Sequence, residues 1–114
     1  MKLDPATIEW QETRYPGIFI HLLWLDEGSS GDAAVLIRMD PGCSYPRHRH
    51  VREEDVLILE GSYADERGEY HAGTFLRNPA QSVHSARATG TVPCILFAVA
   101  RGGIEILRDA VAGA

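Results

Sequence analysis

The chain has 114 residues, 45% of them hydrophobic and 24% charged, with a formal net charge of −5 at pH 7. That length suits one domain with a modest core, spanning residues 1–114, and the acidic balance argues against nucleic acid or an anionic membrane as a partner. The start, Met1-Lys2-Leu3-Asp4-Pro5, lacks the apolar core of a secretion signal, and the longest apolar runs, 18–25 and 92–100, fall far below the ~20 residues of a membrane helix, so a cytoplasmic protein is expected.

Short apolar and β-branched runs alternate with turn signals along the chain, which predicts an all-β sandwich or barrel. A first strand is expected over 7–15, ending at Pro16-Gly17. The run 18–25 follows, apolar on nearly both faces, and so calls for cover by a second sheet or a partner subunit. After a loop over 26–32, strand 33–39 leads through Asp40-Pro41-Gly42 into Gly42-Cys43-Ser44-Tyr45-Pro46-Arg47-His48-Arg49-His50. Strand 55–59 comes next, and Asp65-Glu66-Arg67-Gly68 reads as a hairpin turn into Glu69-Tyr70-His71. Further strands are expected over 82–87 and 92–100. The tail 104–111 fits a helical stripe through Ile104, Leu107 and Val111 or a strand through Ile104 and Ile106. Two cysteines cannot make a disulfide framework: Cys94 reads as core, and Cys43 as packing or as a thiol near the site described next.

Of five histidines, two lie one residue apart. In an extended chain His48 and His50 share a face while Arg47 and Arg49 share the other. Two imidazoles on one face suit Fe, Ni, Cu, Mn or Zn better than Mg or Ca. Glu54 has the same parity, yet a flat strand would carry it roughly 20 Å beyond His48 at about 3.3 Å per residue. Joining one ion therefore demands a bent chain and a curved sheet. Continuing that parity turns Val56 and Ile58 inward as walls of a small-molecule pocket and Leu57 and Leu59 outward. Outward leucines beside the apolar run 18–25 point to a homodimer. Arg47, Arg49 and Arg52, interleaved with Glu53, Glu54 and Asp55, read as an ion-paired surface, and His21 and His71 as ordinary strand histidines.

The spacing Gly42-x5-His48-x-His50-x3-Glu54-x6-Gly61 resembles the first motif of the cupin family, and Gly73-x5-Pro79-x-Gln81-x2-His84 resembles the second. Gln81 stands where that family usually has glycine, and Ala88 where it often has asparagine. Within the family, 53–79 is similar to the cupin half of ChrR-type anti-sigma factors, the likeness covering residues 33–100 and leaving the amino-terminal strands of 1–32 outside it. The resemblance implies a single antiparallel β-barrel (a double-stranded β-helix or jelly roll) with one divalent ion, Fe(II) or Zn with Ni or Mn as alternatives, on His48, His50, Glu54 and His84. Small cupins similar to this chain include dioxygenases acting on a chelating diketone or hydroxyketone, which is the first functional expectation. The alternative is a ChrR-like zinc-binding sensor or ligand-binding module without catalysis. Residues 1–32 are short for an anti-sigma domain and contain no cysteine, so a direct anti-sigma role is not expected. A structural cupin or isomerase relative whose metal is incidental is the third reading.

Overall fold

The computed structural model describes residues 7–107, and among them all regular structure of any length is β-strand. No helix there is long and apolar enough to cross a membrane. The largest sheet orders its six strands β1 (Gln11–Glu12), β2 (Ile18–Leu25), β3 (Ala33–Met39), β11 (Cys94–Ala100), β5 (Glu54–Glu60) and β8 (Phe75–Asn78). A second sheet places β6 (Ser62–Asp65) between β10 (Arg87–Thr89) and β7 (Gly68–His71), and a third places β4 (His48–His50) between β12 (Ile104–Ile106) and β9 (Val83–His84). Among the described residues every pairing is antiparallel, as the sequence implied, and no sheet closes on itself into a barrel.

Alternation along the central strands builds the core. Val35, Met39, Val56, Ile58, Leu96 and Ala98 point inward from β3, β5 and β11, where they meet Tyr63 and Ala88 of the second sheet. The other parity leaves a row running from strand to strand: Phe75 opposite Leu57, Leu57 opposite Phe97, Phe97 opposite Leu36. Phe75 is 62% exposed and Leu59 49%. In β2 the partner of Leu22 is Val35 and that of Trp24 is Ala34, so Leu23 is an extra residue in a bulge. Leu22, Trp24 and Leu25 are about half exposed, so within one chain this end of the strand lacks the cover its composition calls for.

Gly61 shows why the first motif closes on glycine. It joins β5 to β6 at φ +72°, and a Cβ there would lie 2.4 Å from the Pro93 carbonyl oxygen. Both the left-handed backbone and the close approach exclude a side chain.

Several boundaries differ from the expectation. The strand expected over 7–15 is only Gln11–Glu12, because Thr13 Oγ1 accepts the Tyr15 amide at 3.1 Å and the Thr13 amide reaches ahead to Ile18 O. The strand expected over 82–87 is two pieces. The Ser85 amide donates to Glu66, and the chain changes sheets between β9 and β10. The tail begins as strand β12, paired with β4, against the helical reading; Val111 lies outside the described residues. Cys94 is buried in the core, and Cys43 packs against it beside Gly17. The arginines do form ion pairs, but with distant acids: Arg49 with Glu105 and Arg52 with Asp32, while Asp55 meets Arg77 and Arg101.

Candidate metal centre

Short strands bring three histidines to one point. Antiparallel pairing of β4 with β9 sets His48 directly opposite His84, and the two-residue repeat of β4 adds His50 on the same inward face. Their Nε2 atoms converge: His84 lies 3.1 Å from His48 and 3.2 Å from His50. All three side chains are buried.

The Nδ1 atoms decide what those Nε2 atoms can offer. His48 Nδ1 lies 2.7 Å from the Pro46 carbonyl oxygen, an acceptor only, so this nitrogen carries the hydrogen. His84 Nδ1 lies 2.9 Å from Asp65 Oδ2, and the same logic applies. Burial pushes the His48 imidazole down to about 4 and His50 down to about 3, the neighbouring imidazoles adding to the shift at His50. Both are neutral near pH 7, and with His48 and His84 carrying their hydrogens on Nδ1, the Nε2 lone pairs of these two face each other at 3.1 Å. Left so, the arrangement is repulsive; a shared cation resolves it. Three nitrogens at about 2.0–2.1 Å from an ion stand about 2.9 Å apart at right angles and about 3.4 Å apart in a tetrahedron, and the observed spacings fall between. His50 Nδ1 is buried without a hydrogen-bond partner among the described residues. The donor set therefore fits one divalent transition ion held by imidazoles.

Glu54 stands beside the trio. The chain turns between β4 and β5, as the spacing demanded, and brings Glu54 Oε1 to 3.8 Å from His50 Nδ1, the nitrogen away from the convergence point. Asn78 Nδ2 donates to the same oxygen at 3.1 Å. Burial raises the Glu54 carboxyl to about 7, with the Asn78 hydrogen bond opposing the rise and the Asp55 charge adding to it.

A small cavity of about 50 Å³ opens beside the histidines. His48, His84, Glu54 and Tyr45 meet its wall, and Ile37, Met39, Val56 and Leu96 make much of the rest apolar. Val56 lines the wall, and Ile58 packs into the core. Cys43 is not part of the wall. His21 lies apart, its Nδ1 2.9 Å from Glu9 O, and His71 is exposed on β7. Sequence reasoning missed Asp65 and Asn78. Asn78 precedes Pro79 of the second motif and opposes Glu54 across the sheet, a pairing that a strand over 75–78 would have revealed.

The family model of the ChrR cupin-like domain matches residues 1–103, and so includes residues 1–32, which the motifs left outside. No curated protein matches the chain. Among solved structures, an RmlC-like cupin protein from Ralstonia eutropha is 21% identical with a TM-score of 0.82, the match covering 96% of this chain and 73% of that one. The complex of SigE with the anti-sigma ChrR from Rhodobacter sphaeroides is 24% identical with a TM-score of 0.73, covering 85% of this chain but only 50% of that one. An acetylacetone dioxygenase from Acinetobacter johnsonii is 14% identical with a TM-score of 0.78, covering 96% of this chain and 77% of that one. At these identities the likeness establishes a common fold.

Proposed function

The chain belongs to the ChrR cupin-like domain family, and on that premise we propose that it is a metal-dependent dioxygenase-like enzyme acting on a small diketone or hydroxyketone. The observation that carries this reading is the convergence of the Nε2 atoms of three buried histidines, two of which, His48 and His84, line a small, largely apolar cavity. His48, His50 and His84 would hold the ion, and Glu54 would act beside it through His50 Nδ1. A bound Fe(II) ion supplies Lewis acidity and open positions for a chelating oxygen pair and dioxygen. The protein supplies the rest. Its apolar walls exclude water and favour an uncharged ligand over a phosphate or nucleotide. Glu54, held near neutrality, is the carboxylate suited to accept the proton that a diketone loses on becoming an enolate. The fold shared with an acetylacetone dioxygenase supports the substrate class.

With Fe(II) loaded, the protein is expected to consume one dioxygen per diketone cleaved in an oxygen-electrode assay. Absence of oxygen uptake across a panel of small diketones and hydroxyketones overturns the enzyme reading. The second reading, a zinc-binding sensor or ligand-binding module, then leads; the ChrR cupin-like family match favours it.

We also propose a homodimer through the outer face of the six-stranded sheet. Phe75 and Leu57, paired across the sheet, with half-buried Phe97 beside them and Leu59 nearby, make an exposed apolar patch of the kind that second subunits cover. Light scattering should return twice the 12.6 kDa of one chain at micromolar concentration; the single-chain mass refutes the dimer.

A further inference from the structure

The three histidines are not held alike. His48 Nδ1 meets a backbone carbonyl, His50 Nδ1 makes no hydrogen bond among the described residues and lies 3.8 Å from Glu54 Oε1, and His84 Nδ1 alone is within hydrogen-bond distance of a buried carboxylate. That carboxylate belongs to Asp65, whose side chain is 3% exposed. It is itself fixed: Oδ1 accepts the Arg67 amide at 2.9 Å and the Tyr70 hydroxyl at 3.4 Å, leaving Oδ2 for His84. Asp65 ends β6 and His84 ends β9, so the bond ties the second sheet to the third. The next residue along each strand repeats the tie. Glu66 Oε1 accepts the Ser85 amide at 3.0 Å and lies 3.3 Å from its hydroxyl. Two consecutive residues of the β6–β7 turn thus grip two consecutive residues at the end of β9.

We propose that Asp65 is the positioning residue of this centre. By accepting the Nδ1 proton it locks His84 in the tautomer that bares Nε2, fixes the ring plane, and makes His84 the strongest donor of the three. Without an acceptor at Nδ1, a neutral imidazole is free to carry its proton on Nε2, where it blocks the ion. With a carboxylate there, that tautomer leaves the anion and a lone pair facing each other at 2.9 Å, which is unfavourable. A carboxylate also adds electron density that a carbonyl does not, and partners of this kind support metal affinity. Tyr70 and the Arg67 amide keep the carboxylate from turning away. The inference rests on the metal reading for its effect on affinity, though not for the tautomer.

Two variants and two readouts test it. In the metal-free wild type, nitrogen-15 NMR of the imidazoles should show His84 protonated at Nδ1 and bare at Nε2. In Asp65→Ala the two tautomers should mix, and zinc affinity in a chelator competition should fall about 10–100-fold. Asp65→Asn loses the charge and keeps one acceptor oxygen, which the Arg67 amide and Tyr70 hydroxyl claim, so its NH2 faces His84 Nδ1. The Nε2-protonated tautomer should gain, zinc affinity should fall about 10–100-fold, and the visible spectrum of the Co(II) form should shift. Wild-type zinc affinity in Asp65→Asn overturns the proposal, whether or not the alanine variant folds. A wild-type protein that binds no zinc, yet shows His84 protonated at Nδ1, sinks the metal reading and leaves the tautomer assignment standing.

Discussion

Replacing His84 with Ala should strip the protein of its ion, elemental analysis falling from about one ion per chain to background, and His48→Ala should do the same. His84 is the residue common to both short Nε2 distances, so its loss dismantles the whole convergence point. His48 removes the partner directly opposite it across β4 and β9. Each change leaves at most two imidazoles, and the expected loss of affinity exceeds the roughly 100-fold that follows from disturbing a supporting residue. Stability follows by mass action. An ion present at about 100 times its Kd stabilises the native state by about 2.7 kcal/mol, which in a chain of this size is worth roughly 10–20 °C in Tm. Wild-type protein should therefore melt that much higher with saturating Zn or Fe(II) than without, while both variants melt at the same temperature either way. His71→Ala, on an exposed strand residue, is the control and should keep its ion. Full metal content in both His48→Ala and His84→Ala refutes the site.

What made this site legible was local. Parity put His48 and His50 on one face, the spacing to Glu54 demanded a bend, and the bend is where the chain leaves β4 for β5. The inward Val56 and the outward Leu57 follow from counting by two, because β5 is regular up to its bulge against β11 at Leu59. Features made by distant segments were harder to read. Asp65 lies nineteen residues before His84 with no spacing rule to connect them, and it matters only because two different sheets meet there. The strand at 75–78 was missed because Arg77 and Asn78 read as polar; Arg77 faces out to Asp55 and Asn78 in to Glu54. Gln81 shows the same limit. It holds φ at +69°, the conformation glycine would take freely, and its side chain donates to Val51 O at 2.9 Å. From sequence, Gln81 was a departure from a motif; in the structure it keeps the motif's backbone and adds a bond.

Glu54→Gln should make the metal-free protein more stable than wild type at pH 8 by about 3 kcal/mol, and the gap should close on acidification to pH 4.5. The direction follows from the raised carboxyl. Glu54 sits at about 7 in the folded chain against an ordinary 4.5, chiefly because burial penalises its charge. Between those values the folded protein holds a proton that the unfolded chain has released, so its contribution to stability is complete below pH 4.5 and is lost as pH rises to 7. Glutamine, neutral throughout and close to the same shape, escapes that loss. His48 and His50 act in the opposite sense, since their depressed values, about 4 and about 3, cost stability as pH falls below 6.5. Both proteins carry those histidines, so they cancel in the difference. Urea unfolding of the two metal-free proteins at pH 4.5, 6, 7 and 8 measures the gap directly. A gap that does not change with pH means that Glu54 keeps its ordinary acidity and is not enclosed as the structure has it. Adding the ion completes the test. Because the three Nε2 atoms converge without the Glu54 oxygens, Glu54→Gln should still bind about one ion per chain while losing turnover. Lost metal instead makes Glu54 a direct ligand.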